Sequence, residues 1–446
     1  MHVAIIGNGI TGITCARQLR KNSDHRITVI SGETEHFFSR TALMYIYMGH
    51  MRYKDTKPYE DWFWKKNNIN LKRAFVTSVD FDKKELKIKG GETISYDKLV
   101  VATGSKSNKF GWPGQDLPGV QGLYNMQDLE LLEKNSAGIN RAVIVGGGLI
   151  GIELAEMLHS RHIPVTILVR ESSFWNNVLP NQESELINRH IRNHGFDLRL
   201  NYNLGEITAG SNGRVNGIVV KETGERINCQ LVGLTAGVSP NVDFLKDGEL
   251  QVDRGVVINQ NFETNQSDVY AGGDCAQFET PLPGRRPIEQ VWYTGKMHGK
   301  VIAERICGID SAYDPGPWFN SAKFLDIEYQ TYGMVMPQLR ENEAELYWED
   351  DSGERAIHFV YDKNNKTFLG LNVFGLRLRH NVFDSFLRSS RKMDYVLENL
   401  RAANFDPEFY RSFEPEIVKK YNLQTGSNVK LKKAGGLKAV LNLFGR

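Results

Sequence analysis

Two short glycine clusters have the spacing to hold a phosphate-bearing ligand. The first is Gly7-Asn8-Gly9-Ile10-Thr11-Gly12 and the second is Gly146-Gly147-Gly148-Leu149-Ile150-Gly151. In such a loop the first glycine permits a tight turn and the second lets the backbone approach a pyrophosphate. The third lets helix and strand pack closely. The free amides at the start of the following helix then face the anion. An acidic residue about 20 positions further on should meet a ribose. Glu33 lies 21 residues after Gly12, and Glu171 lies 20 after Gly151. A single loop of this kind could be an ordinary strand-to-helix turn. Two of them in one chain, each in the right setting, imply two dinucleotides.

The flanking elements supply that setting. "HVAIIG" is a short apolar run ending in glycine, "ITGITCARQLRK" has helical spacing through Ile13, Ala16 and Leu19, and "RITVIS" is β-branched. This βαβ alternation favours a parallel sheet. Residues 71–105 read as short strands ending in a buried one, "KLVVATG", and "GWPGQDLPGVQG" reads as a linker. The pattern restarts with "RAVIVGGGLIGIELAEMLHSRHIPVTILVRE", and a third apolar strand, "SDVYAGGDCA", follows much later. From about Pro315 the texture changes to aromatic-rich strands and then to a helical, charged end.

Composition narrows the partners. The 446 residues carry 55 Lys+Arg against 53 Asp+Glu, a net charge of +2 that suggests neither a nucleic-acid nor a membrane partner. Cys15, Cys229, Cys275 and Cys307 are scattered with no CxxC, which disfavours a zinc site or a disulfide framework. No HExxH or other metal-ligand spacing stands out, so no metal is expected. No apolar run approaches the roughly 18 residues that span a bilayer. The chain opens directly into "HVAIIGNG", leaving no room for a cleavable leader, so a cytoplasmic, soluble α/β protein is expected.

Four motifs in order carry a family resemblance: the two glycine loops, the "ATGS" at 102–105, and "TNQSDVYAGGDCA", which ends its strand in Gly-Asp. Together they resemble the two-dinucleotide flavoproteins, the FAD-dependent pyridine nucleotide-disulfide oxidoreductases. The nearest likeness is to the ferredoxin/rubredoxin reductase and nitrite-reductase-like branch. The resemblance covers residues 1 to about 312. It implies a glutathione-reductase-like fold: two Rossmann-like dinucleotide-binding domains plus an α+β C-terminal interface domain. FAD would be bound by a discontinuous domain, 1–108 and 241–314. NAD(P)H would be bound by 109–240, and 315–446 would form the interface domain of a homodimer.

The same resemblance assigns residues. FAD is expected at Gly7, Gly9, Gly12, Glu33, Arg40, Thr103, Gly104, Gly273, Asp274 and Trp292, with Tyr293 beside the last. NAD(P)H is expected at Gly146, Gly148, Gly151, Arg170, Glu171 and Gly237. Glu171 favours NADH, because a carboxylate accepts from ribose hydroxyls, whereas Arg170 could pair with a 2′-phosphate and favour NADPH. Glu153 would orient the nicotinamide. In the branch a lysine pairs with that glutamate, but Tyr45 stands here instead.

Disulfide-reducing members carry their redox cysteines after the first ribose-binding acid. Here "HFFSRTALMYIY" places Ser39, Arg40 and Thr41 in that segment. A hydroxyl cannot cycle between thiol and disulfide. Electrons are therefore expected to leave FAD directly for an external acceptor such as a ferredoxin or rubredoxin. A membrane-associated NADH:quinone reductase is one alternative; a redox-responsive NADH-binding sensor is another. The quinone reading draws on the basic tail "KLKKAGGLKAVLNLFGR", with Lys430, Lys432, Lys433, Lys438 and Arg446 and apolar Leu437, Val440, Leu441 and Phe444 at helical spacing. Arg377, Arg379 and His380, in "LRLRH", are candidates for an acceptor-facing edge.

Overall fold

The computed structural model describes residues 1–246, 248–405 and 411–432. The described residues form two compact units, 1–146 with 154–165 and 204–315, and 147–153 with 166–203 and those from 316 to 432.

The first unit is built on a five-stranded parallel sheet. In spatial order its strands are Val269–Ala271, Lys98–Val101, His2–Ile6, Arg26–Ser31 and Ile69–Arg73. The central strand is flanked on both edges, with Ile5 opposite Val29 on one side and Val100 on the other. Consecutive side chains from Val3 to Ile6 and from Leu99 to Val101 are all buried, so both faces of the sheet are covered, which is why "VAII" and "LVV" are continuous apolar runs rather than alternating ones. The helix Ile10–Asn22 buries Ile13, Ala16 and Leu19, the residues picked out by helical spacing. Its neighbour is the helix Trp292–Ile306. A Cβ on Gly299 would come within 2.2 Å of the Thr11 carbonyl oxygen, so only glycine permits this approach. Residues 76–95 form a small antiparallel sheet of three strands.

A second parallel ladder in the same unit joins Ala142–Val145, Leu231–Leu234 and Val120–Gln121. The passage expected to be a linker thus contributes an edge strand, because Val120 and Gln121 find open backbone groups on Val232 and Gly233. Two residues are too few to show a strand period in sequence.

The second unit holds a parallel pair in which Thr166–Val169 runs beside Asp197–Leu200, with the helix Asn181–Asn193 between them in sequence. It also holds a five-stranded antiparallel sheet ordered Phe319–Phe324, Ile327–Gly333, Phe368–Phe374, Ala356–Asp362 and Glu343–Glu349. Helices His380–Arg388 and Glu414–Thr425 pack on it around Tyr332, Phe359, Phe383, Phe386 and Tyr421, all nearly solvent-free. The fold is thus mixed α/β, with Rossmann-like parallel regions and an antiparallel C-terminal sheet.

Candidate dinucleotide site

The first glycine loop fits a pyrophosphate on three counts. Gly7 has φ +110°, and a Cβ there would stand 2.1 Å from the Ala102 carbonyl oxygen. A Cβ on Gly12 would stand 2.0 Å from the Gly7 carbonyl oxygen, which is the close packing the third glycine exists to allow. Gly9 has nothing within 4 Å, so its face is open to an approaching ligand. Gly9 is also the N-cap of the helix Ile10–Asn22, with no side-chain cap and no acidic residue in the first turn. The first amides of this helix are therefore left to an anion. Asn8 ties the loop down by donating to the Thr34 carbonyl oxygen at 2.8 Å.

Glu33, the expected ribose acid, and Arg40 face each other. The guanidinium donates to Glu33 Oε1 at 2.9 Å and Oε2 at 2.7 Å, and also to the Tyr124 carbonyl oxygen at 2.7 Å. Planar fork-to-carboxylate pairing of this kind is geometrically demanding, which is why arginine rather than lysine suits the position. The Met126 amide adds a donor to Glu33 Oε1 at 2.9 Å. That amide opens the helix Met126–Ser136, whose capping box is made by Asn125 and Asp128. Glu33 thus sits at a helix N-terminus, where a carboxylate is favoured. The segment bearing Arg40 is fixed further along, where Tyr47 donates to Ser136 Oγ at 2.7 Å and Arg161 lies 3.5 Å from the Tyr47 ring centroid.

Asp274 is the second anchor. Its Oδ2 accepts from Ser105 Oγ at 3.2 Å and from Tyr124 OH at 3.3 Å. Gln290 donates to Ser105 Oγ at 2.9 Å, and the Ser105 amide donates to Tyr124 OH at 2.9 Å. Burial pushes the Asp274 carboxyl up from its ordinary range, against the pull of those hydrogen bonds and of Arg40. Gly273, at φ +76°, donates its amide to His298 Nδ1 at 3.0 Å. Behind it, His298 Nε2 lies 3.5 Å from Glu289, which also accepts from Tyr313 and Arg285. Thr103 Oγ1 donates to the Asn241 carbonyl oxygen at 2.8 Å, and Asn241 returns its amide to Gly104 at 2.9 Å. This exchange joins the "ATGS" segment to the point where the chain comes back. Trp292 opens its helix and is 38% exposed, edge-on to Tyr293.

The residues around the second loop divide between the two units. Gly146 has φ +128° and lies against Thr235, while Gly237, at φ +90°, accepts from the Asn108 amide at 3.1 Å. Gly148 precedes the helix Leu149–His159, which carries Gly151 and the half-buried Glu153. A Cβ on Gly148 would lie 4.0 Å from the Trp175 indole. Arg170 Nε donates to Glu171 Oε1 at 2.6 Å, so the two nucleotide-selecting candidates are paired with each other.

No thiol stands beside Ser39 and Thr41, whose hydroxyls are 3.2 Å apart. Cys15, Cys229 and Cys275 are buried and all four cysteines are free. Cys275 Sγ donates to the Val101 and Gly272 carbonyl oxygens at 3.4 and 3.3 Å, and burial raises its pKa. Tyr45 stacks on His50. In the second unit Arg377 pairs with Glu328, Arg379 occupies the N-cap position of the helix His380–Arg388 without a side-chain capping bond, and the His380 ring lies 4.2 Å from that of Phe319. Of the basic tail, Lys432 pairs with Glu398 at 3.1 Å. Lys433, Lys438, Arg446 and the four apolar positions lie outside the described residues. Among the described residues no helix is long and apolar enough to cross a membrane.

Sequence reading missed Tyr124, Ser105, Gln290, His298 and Glu289. Ser105 closes the "ATGS" motif and Glu289, Gln290 and His298 lie in "EQVWYTGKMHGK", but sequence reading assigns them no role; Tyr124 has no motif and enters because distant segments converge. Sequence reading also passed over His190 and His194, four residues apart on one helix, which had a detectable spacing.

The loops and the Gly273-Asp274 turn, set on parallel sheets, define a two-dinucleotide α/β flavoprotein. Residues 1–299 match the family described as pyridine nucleotide-disulphide oxidoreductase, and the chain belongs to that family. It is an oxidoreductase that uses FAD and NAD(P)H. It is 26% identical over 392 residues to the assimilatory nitrate reductase electron transfer subunit of Bacillus subtilis, covering 86% of this chain and 49% of that one. The chain therefore spans about half the length of that relative. It is 29% identical over 312 residues to the NADH-rubredoxin oxidoreductase of Clostridium acetobutylicum, covering 70% of this chain and 76% of that one. A ferredoxin reductase from Rhodopseudomonas palustris shares the fold, with a TM-score of 0.76 at 23% identity, covering 84% of this chain and 91% of the other.

Proposed function

We propose that the protein takes reducing equivalents from NADH and delivers them to a small iron-sulfur or rubredoxin-type electron carrier, with no protein thiol between. The observation that carries this reading is the Ser39-Arg40-Thr41 segment. It supplies a guanidinium locked on Glu33 where a thiol relay would need cysteine. When bound, FAD accepts hydride from NADH and supplies the outgoing electrons. The chain's own residues bind and orient. Gly7, Gly9 and Gly12 with the helix start hold the pyrophosphate, and Glu33 and Arg40 position the adjoining ribose and phosphate. Asp274, steadied by Ser105 and Tyr124, holds the opposite end, and Trp292 covers it. Gly146, Gly148, Gly151, Gly237, Arg170 and Glu171 serve NADH, and Glu153 orients the nicotinamide.

In this reading 1–108 and 241–314 form the FAD domain, 109–240 the NADH domain, and the remainder the interface of a cytoplasmic homodimer. The relative named an NADH-rubredoxin oxidoreductase supports the choice of acceptor. The test is an anaerobic stopped-flow mix with NADH and then NADPH, followed by turnover with ferredoxin, rubredoxin and a soluble quinone. Rapid flavin bleaching by NADH and turnover with the iron proteins but not the quinone is the expected result. Bleaching over minutes would point to a sensor instead, and turnover with quinone alone would overturn the acceptor.

A further inference from the structure

A second cluster lies wholly within the second unit. His190 and His194 stand one turn apart at the end of the helix Asn181–Asn193, with His194 as its C-cap. The two-residue turn between strands Phe319–Phe324 and Ile327–Gly333 brings Asp326 to the same spot. Leu325, in that turn, takes φ +56° and is 4% exposed, so its burial anchors the turn that presents Asp326. Asp326 Oδ1 lies 2.5 Å from His190 Nε2 and 3.5 Å from His194 Nε2. One ligand atom from each of the three side chains lies within 4.8 Å of the others.

The hydrogen bonding orients His194 for a ligand's role. His194 Nδ1 lies 3.0 Å from the His190 carbonyl oxygen, a contact that requires a proton on Nδ1. In the neutral imidazole that leaves the Nε2 lone pair facing the Asp326 carboxylate oxygen. Two acceptors 3.5 Å apart repel unless a proton or a metal ion lies between them. A backbone carbonyl that fixes the distal nitrogen is also the usual outer-shell support of a metal-binding histidine.

We propose that His190, His194 and Asp326 bind a divalent first-row transition-metal ion, Zn²⁺ foremost. Two imidazole nitrogens and one carboxylate oxygen suit that class, whereas Ca²⁺ and Mg²⁺ call for a largely oxygen shell. Metal–ligand bonds of about 2.0–2.2 Å set tetrahedral ligand atoms about 3.3–3.5 Å apart, so the His194 spacing already matches. The His190–Asp326 contact has to open by about 1 Å to reach that separation. The Asp326 side chain, 71% exposed, has room to do so. Three protein ligands leave a coordination position for water or a small anion. The ion staples the helix to the hairpin, so its binding free energy adds to the stability of this unit.

The test uses the full-length, flavin-loaded protein, stripped of metal with a chelator and dialysed against buffered Zn²⁺. One Zn²⁺ per chain is expected, with a rise in Tm. His194→Gln and Asp326→Asn, both at partly or fully exposed positions, should each weaken binding at least about tenfold and abolish the Tm rise, since even outer-shell losses cost 10- to 100-fold. Binding that persists unchanged in both variants would place the ion on other residues. That outcome, or no uptake at micromolar free Zn²⁺ by protein with an unaltered Tm, overturns the site.

Discussion

Nδ1 of His358 lies 2.8 Å from Oε1 of Glu183, and neither side chain is exposed to solvent. The histidine comes from the strand Ala356–Asp362 and the glutamate from the helix Asn181–Asn193. On its other side His358 Nε2 meets Glu345 at 3.0 Å, and Asn372 donates to the remaining oxygen of Glu183 at 2.8 Å. Two carboxylates thus hold one imidazolium. Burial alone would lower the pKa of His358, but the acids outweigh it and raise it to about 9.

The sign of the pH effect follows. A histidine whose pKa is raised by folding stabilises fully below its unfolded value near 6.5 and loses that contribution as pH climbs through about 9. Burial pushes Glu183 upward, and protonating it would also break the pair, but its ionised form is the one that matches the charged ring. Urea denaturation across pH 7–10 should show a decline, up to about 3 kcal/mol, that His358→Gln lacks. Glu183→Gln should cost about 3–5 kcal/mol at neutral pH, because it strands a buried charge. Parallel pH curves for wild type and His358→Gln would show that the ring is neutral.

Gly9→Ala and Gly12→Ala should separate ligand approach from folding. Gly9 has φ −69° and open space, so an alanine there leaves the folding stability within about 1 kcal/mol of wild type yet lowers FAD retention. Gly12→Ala forces a Cβ to within 2.0 Å of backbone and should lose both fold and flavin. Flavin content and thermal melts of the purified variants check this; retention of FAD by Gly9→Ala would remove that face from the pyrophosphate path.

Arg40→Ala leaves Glu33 without its two-pronged partner and frees the Tyr124 carbonyl oxygen. Charge-assisted hydrogen bonds of this type contribute about 1.5–3 kcal/mol each, so FAD affinity should fall about 10- to 100-fold. Arg40→Lys keeps the charge but not the fork and should recover only part of the loss. Fluorescence titration of apoprotein with FAD measures both.

Under the proposed function, the pairing of Arg170 with Glu171 links nucleotide choice to a single contact. With Glu171 as the proposed ribose acceptor, Glu171→Ala removes that acceptor and releases the guanidinium for a 2′-phosphate. KM for NADH should rise about tenfold while the preference for NADPH increases. Steady-state kinetics with each nucleotide decides it, and unchanged constants would place Glu171 away from the ribose.

The sequence by itself determined the fold class and the positions of both dinucleotide loops. Those depend on local demands: a positive φ at Gly7 and Gly146, a missing Cβ at Gly12, and apolar runs long enough to sit inside a sheet. Such demands are met by a residue's own type and its immediate neighbours, so they are written in order along the chain. Tertiary structure alone decided which groups answer the polar side chains. Asp274 is satisfied by Ser105 and Tyr124, more than a hundred positions earlier, and Asp326 meets two histidines on a helix far behind it. Buried polar groups take partners from whatever segment packing delivers, and sequence spacing carries no record of that delivery. The HxxxH spacing at 190–194 was visible, but its third member needed the hairpin turn to arrive.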